Sequence, residues 1–118
     1  MKKLCNFKKV QDERGSLSAF DELSLFNVKR FYLIECNEGL WRGEHHHKKT
    51  SQNIFVVAGS LDVEIYKDGV MIDSFVMNEG ESYLQIPFYK FRFKSREHVS
   101  KLLVLCDENH DKEDYEFR

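Results

Sequence analysis

A chain of 118 residues, 42% hydrophobic and 32% charged, has the length and balance of one globular domain, which argues against disorder and fibrous structure. Its formal net charge of −2 gives no electrostatic reason to expect nucleic acid or an anionic membrane as a partner. Ten Phe, five Tyr and one Trp stand against six Gly and one Pro, and this surplus of rings predicts a β-rich core with a stacking surface for a ring-shaped ligand.

The opening string MKKLCNFKKVQDERG is basic but has no apolar run before the charges resume, so no secretory signal is expected. No stretch approaches the roughly 20 apolar residues that cross a bilayer. Cys5, Cys36 and Cys106 are widely spaced and make no CxxC pair, which predicts neither a disulfide framework nor a thiolate zinc site and suits a reducing cytoplasm. One domain over residues 1–118 is expected.

The segment 11–25 is polar and weakly periodic; in a small barrel it could form an edge strand that pairs with a second subunit. FYLIEC (31–36) and NIFVVA (53–58) are continuous apolar runs, as expected of strands buried on both faces. In LDVEIY (61–66), Leu61, Val63 and Ile65 alternate with Asp62, Glu64 and Tyr66, the mark of a half-buried strand. Lys67-Asp68-Gly69 supplies a tight turn and VMIDSFV (70–76) returns, so 61–76 reads as a β-hairpin. A turn at Asn78-Glu79-Gly80 leads to the strands ESYLQIP (81–87), YKFRFK (89–94) and KLLVLC (101–106). In YKFRFK, Tyr89, Phe91 and Phe93 alternate with Lys90, Arg92 and Lys94, and the pattern leaves open which side faces the core. The charged tail DENHDKEDYEFR reads as a turn of helix or a segment draped over a partner. Short strands at intervals of about 8–12 residues predict a small sandwich or barrel.

The chemistry concentrates in RGEHHHKK (42–49). On a strand, His45 and His47 share one face and His46 takes the other. Two imidazoles at a barrel mouth suit metal ligation or proton transfer, and a solvated run of histidines on a loop is the plain alternative. The spacing resembles the first cupin motif, with Gln52 where that motif has an acid and Gly59 closing it. Gly80 and Pro87 fit the second motif, but the next histidine is His98. Two of four usual ligands are therefore missing, and two neutral imidazoles hold a divalent ion weakly. No metal or other cofactor is expected. Histidines that take and return a proton, beside Arg42 as a cation for a developing enolate, suit isomerisation or epimerisation next to a carbonyl.

The strings DERGSLSAF (12–20), VKRFYLIE (28–35), RGEHHHKKTSQ (42–52) and DKEDY (111–115) resemble, in that order, the nucleotide-sugar 3,4-ketoisomerases. That resemblance implies an all-β cupin or jelly-roll barrel and a homodimer that exchanges N-terminal strands. It implies a metal-independent shift of the keto group of dTDP-4-keto-6-deoxyglucose, giving a 3-keto sugar that is later aminated for surface glycans. His45 and His47 match the paired histidines, one of them the base, and Tyr32 matches a tyrosine that assists proton transfer. Arg42, Arg14 and Gln52 match substrate-binding positions. Phe91-Arg92 stands where many members carry Trp followed by His or Arg, which makes Arg92, with Arg14, a candidate for the face at C4. The alternatives are a 3,5-epimerase on a similar sugar nucleotide, a non-catalytic sugar-nucleotide-binding cupin, and a metal-dependent oxygenase.

Overall fold

The computed structural model describes residues 4–21 and 27–117. In chain order the strands are β1 (Leu4–Asn6), β2 (Lys8–Asp12), β3 (Gly15–Ala19), β4 (Arg30–Asn37), β5 (His45–His47), β6 (Gln52–Ala58), β7 (Ser60–Lys67) and β8 (Val70–Asn78). They continue with β9 (Glu81–Gln85), β10 (Tyr89–Ser95), β11 (Val99–Cys106) and, after a 3₁₀ turn at Lys112–Asp114, β12 (Tyr115–Phe117). The architecture is all-β, with no α-helix among the described residues. None of the helical segments described is long and apolar enough to cross a membrane.

A five-stranded antiparallel sheet runs in the order β1-β9-β6-β11-β4, and a three-stranded one runs β10-β7-β8. Strand alternation makes both sheets one-sided. Cys36, Ile54, Val56, Tyr83, Leu102, Val104 and Cys106 from the first sheet meet Leu61, Val63, Ile65, Met77, Phe91 and Phe93 from the second in one apolar core. Burial there pushes the thiols of Cys36 and Cys106 up, away from the reactive thiolate form. The hairpin read at 61–76 is β7–β8. Its turn residues Asp68 and Gly69 both lie in the left-handed region (φ 52° and 79°), the two-residue geometry whose twist matches that of the strands.

The orientation of YKFRFK is settled by the core. Phe91 and Phe93 point inward, so Lys90, Arg92 and Lys94 share the opposite side of β10. The expectation for FYLIEC needs correcting. This run is buried on one face only, since Phe31 and Leu33 are 66% and 70% exposed on the outer face of the sheet, which is left uncovered at β4. NIFVVA differs because its outer face is covered as far as Phe55, while Val57 is 38% exposed. The rings of Phe7 and Phe20 pack on Phe55 at centroid distances of 5.5 and 4.9 Å.

Within the polar segment 11–25, residues 11–12 and 15–19 belong to the exposed β2–β3 hairpin, and 22–25 lie outside the described residues. The charged tail docks on its own chain. Its 3₁₀ turn leads into β12, which pairs antiparallel with β5 so that Tyr115 stands opposite His47. Between β4 and β5 the backbone runs along β10 through a bridge in which Arg42 and Phe93 exchange hydrogen bonds of 2.7 and 3.0 Å. These two tethers hold the histidine strand at the end of the gap between the sheets.

Candidate active site

A cavity of about 310 Å³ opens there, lined by Arg30, Tyr32, Arg42, His47 and Gln52 over a floor that includes Ile54, Phe91, Phe93 and Val104. Each polar group is placed by strand geometry. The two-residue period of β4 sends Arg30, Tyr32 and Ile34 inward, and the Arg30 guanidinium lies 4.8 Å from the Tyr32 ring centroid. Gln52, the first residue of β6, donates from Nε2 to Tyr32 Oη at 2.9 Å. Arg42 donates to the Glu35 carbonyl at 3.2 Å. Gly43 follows it at φ 83°, against the backbone of Phe91, where a Cβ would lie 2.1 Å from the carbonyl oxygen.

His47 is buried, 7% exposed, and its Nδ1 lies 2.7 Å from Oδ2 of Asp114 on the tail. Oδ2 also accepts from the Thr50 hydroxyl, while Oδ1 accepts from the backbone N–H groups of Lys49 at 2.6 Å and Lys48 at 2.9 Å. Burial by itself would push the Asp114 carboxyl up. The hydrogen bonds from Thr50, from His47 and from the Lys49 backbone outweigh it and hold the group down at about 2. Because the folded value lies below the ordinary 3.8, the stabilisation is fully present above that value and is lost as the pH falls from there towards about 2. Thermal melts across this window show a steep fall in midpoint for the native chain, and Asp114→Asn removes that component of the fall.

The structure thus gathers Tyr32, Arg42, His47 and Gln52 around one cavity. His45 takes its backbone place opposite Phe117, and its side chain lies outside the described residues. His46 faces the other way, as the strand period required, into a recess with Tyr66, Phe88 and Lys90. Two candidates are not brought to the cavity of their own chain. Arg14 sits at the exposed β2–β3 turn and pairs with Asp12 at 2.7 Å. Arg92 is on the far side of β10, bonded to Glu44 at 2.8 Å and Glu64 at 2.9 Å, with its guanidinium 4.0 Å from the Trp41 ring centroid. The reason is the register of β10, since seating Phe91 and Phe93 in the core turns Arg92 outward.

Arg30, Thr50 and Asp114 were not singled out in the sequence. Arg30 had a signal, because a residue two before Tyr32 on a strand shares its face. Among the described residues no group of three or more His, Cys, Asp or Glu side chains gathers as a metal site would require. Gln52 is engaged with Tyr32, and two guanidinium groups line the same space, a donor set suited to an anionic oxygen and unsuited to a divalent cation.

The WxcM-like, C-terminal family (FdtA) matches residues 1–117. The chain belongs to this family. This WxcM-like chain is 33% identical, over 117 residues, to the TDP-4-oxo-6-deoxy-alpha-D-glucose-3,4-oxoisomerase of Aneurinibacillus thermoaerophilus, a match covering 96% of it and 84% of the relative. It superposes with a TM-score of 0.84 on QdtA, a sugar 3,4-ketoisomerase from Thermoanaerobacterium thermosaccharolyticum solved in complex with TDP (25% identity, 98% of this chain and 86% of that one). The TDP-quinovose 3,4-ketoisomerase WlaRB of Campylobacter jejuni matches at a TM-score of 0.83 and 26% identity, over 99% of this chain and 92% of that one. The WxcM-like fold is therefore all-β and cupin-like.

Proposed function

We propose that this WxcM-like protein is a sugar-nucleotide 3,4-ketoisomerase that converts dTDP-4-keto-6-deoxyglucose to a dTDP-3-keto-6-deoxyhexose. The observation that carries the reading is the meeting of His47, Tyr32 and two arginines around one cavity. In a chain whose relatives are 3,4-ketoisomerases, these groups supply a base, a hydroxyl and cations for an enediolate. His47 removes the proton from C3, which the neighbouring C4 carbonyl makes acidic. The pair of electrons moves onto O4, where Arg42 and Arg30 stabilise the negative charge. A proton returns to C4 while the O3–H proton passes to O4, so that C3 becomes the ketone and no net proton is gained or lost. Tyr32, held by Gln52, is placed to shuttle the hydroxyl proton. His45, next but one to His47, is the second proton carrier by its place in the motif.

The product is the substrate of an amination at C3, which places the protein in the making of amino sugars for surface glycans, in the cytoplasm. We further assign a homodimer in which N-terminal strands are exchanged and complete a jelly-roll barrel. Supporting this, the β2–β3 hairpin stands exposed with Val10 and Leu17 at 65% and 64%, and Phe31 and Leu33 form an uncovered apolar strip on β4. Beside that strip lies a second, mainly apolar cavity of about 510 Å³ between the hairpin and the outer face of the larger sheet. In the exchanged dimer Arg14, at the hairpin turn, reaches substrate in the partner's cavity. Light scattering at micromolar concentration gives the mass of two chains, and a single-chain mass sinks the dimer.

Incubation with dTDP-4-keto-6-deoxyglucose in D₂O, followed by NMR, tests the reaction. The expected result is conversion to a 3-keto sugar with deuterium at C4, and the coupling constants of a reduced product give the C4 configuration. Binding of the sugar nucleotide without exchange at C3 or C4 refutes the ketoisomerase and leaves a binding protein. Exchange at C3 and C5 without movement of the ketone identifies an epimerase.

A further inference from the structure

The strand period turns His46 to the far side of β5 from His47, and the proton-transfer chemistry makes no use of it. It faces a recess of about 220 Å³, walled by Tyr66 and Lys67 at the end of β7 and by Phe88 and Lys90 around the start of β10, and closed by the β7–β8 turn. Two ammonium groups enter this recess, each seated on aromatic rings. Lys67 Nζ lies 4.8 Å from the Tyr89 ring centroid and 5.6 Å from that of Phe88, and Lys90 Nζ lies 4.9 Å from that of Tyr66. Negative charge nearby is sparse. Lys67 forms no ion pair with a carboxylate among the described residues, its printed partners being the two rings. Lys90 lies 3.6 Å from one oxygen of Glu44, whose other oxygen accepts from Arg92 at 2.8 Å. Asp68, at the exposed tip of the turn, is the single acid among the lining residues.

Phe88 points the same way. It is 48% exposed and sits at φ 71°, a region that bulky side chains seldom occupy. Its N–H donates to the His47 carbonyl at 2.7 Å, and its ring is set against both His46, at a centroid distance of 6.2 Å, and the Lys67 ammonium. Strained residues of this kind cluster where ligands are held.

We propose that this recess is a second binding site, on the back of the histidine strand, and that its ligand is a phosphate-type dianion, free or as the terminal group of a phosphomonoester. Lys67 and Lys90 supply the positive charge, and His46 supplies a ring N–H for a phosphate oxygen. The size agrees with that choice. A volume of about 220 Å³ lies below the roughly 300 Å³ at which pockets for drug-sized ligands begin, so the recess admits a phosphoryl group with little attached to it and not a whole sugar nucleotide. A cation is opposed by both ammonium groups, and an uncharged ligand would use neither. The assignment does not rest on the ketoisomerase reading, because none of the residues of the recess lines the candidate active site.

Titration of the ¹⁵N-labelled protein with sodium phosphate, read by its amide shifts, tests the site, with sodium chloride at matched ionic strength as the control. The expected result is saturable movement of the His46, Asp68, Gly69 and Phe88 amides, half complete in the millimolar range, which chloride does not reproduce. Lys67→Met keeps an apolar stem on the two rings and removes the charge. It raises the half-saturation concentration by about 10–100-fold, whereas Lys67→Arg stays within about threefold of the native chain. Lys90→Met shifts it in the same direction, and it decides the matter if Lys67→Met does not fold. Methyl phosphate separates the two sources of the ligand: tighter binding at the same four amides assigns a phosphomonoester, and equal or weaker binding assigns the free ion.

Movement confined to Arg30, Arg42 and Gln52 places the anion in the candidate active site and overturns the proposal. So does an absence of movement at the four amides, movement that sodium chloride reproduces, or a half-saturation concentration unchanged in the lysine variants.

Discussion

Exchange of His47 for Asn lowers kcat by about 10²–10⁴-fold while the affinity for TDP changes little. Asp114 is buried, and while Oδ1 keeps its two backbone N–H groups, loss of the His47 donor would leave Oδ2 to the Thr50 hydroxyl alone. The amide N–H₂ of Asn is within reach of that oxygen, so His47→Asn keeps the carboxylate paired and the tail docked, and the melting temperature moves by only a few degrees. What it cannot supply is a nitrogen that accepts a proton at neutral pH. Steady-state kinetics on the keto sugar, with calorimetry on TDP, separate the two effects. Turnover within tenfold of the native protein would remove His47 from the proton-transfer step.

Gly43→Ala is the most damaging of the single-methyl additions at this site. The residue is at φ 83°, in the left-handed region, and a Cβ there would stand 2.1 Å from the Phe91 carbonyl oxygen and 3.3 Å from the Phe93 ring. The overlap is with backbone in the middle of β10, which cannot yield without breaking its pairing with β7. Gly39→Ala is the control, since it shares a positive φ of 75° but meets open space. Conformational strain alone predicts a loss of roughly 1–2 kcal/mol for Gly39→Ala, and strain plus overlap predicts roughly 3 kcal/mol or more for Gly43→Ala. Chemical denaturation of both variants reads the difference. Because Gly43 adjoins Arg42 and the bridge to Phe93, whatever Gly43→Ala protein folds also loses activity, whereas Gly39→Ala does not. Equal losses in the two variants would show that the close approach to Phe91 does not bear on stability.

Much of the fold was legible because alternation was clean where one face of a strand is buried and the other wet. LDVEIY, the Asp68-Gly69 turn and YKFRFK all behaved as their periods and turn residues required. FYLIEC was misread because a continuous apolar run says that both faces are apolar, and not what covers them. On the outer face of β4, Phe31 and Leu33 are left exposed. The candidate site was legible where its residues share a family string, and Tyr32, Arg42, His47 and Gln52, singled out in this way, line one cavity. Arg92 does not line the cavity of its own chain, and the sequence could not say so because a basic residue between two aromatics looks the same whichever set faces inward. Asp114 lies in the family string DKEDY but was not singled out there, because its partners lie 64 to 67 residues earlier and nothing in the string marks which of its three acids will fold back under a histidine.

The outward turn of Arg92 has a practical side. Its guanidinium, at 4.0 Å, and the Lys94 ammonium, at 4.7 Å, both stack on Trp41, the sole tryptophan of the chain. Cations held over an indole shift and quench its emission. The same strand that carries them presents Phe91 and Phe93 to the cavity, and Trp41 directly precedes Arg42. The protein therefore has a built-in optical reporter, one fluorophore fastened behind the strand that walls the candidate cavity. Opening of that strand can be followed by its light with no label added, and so can the nucleotide binding proposed above.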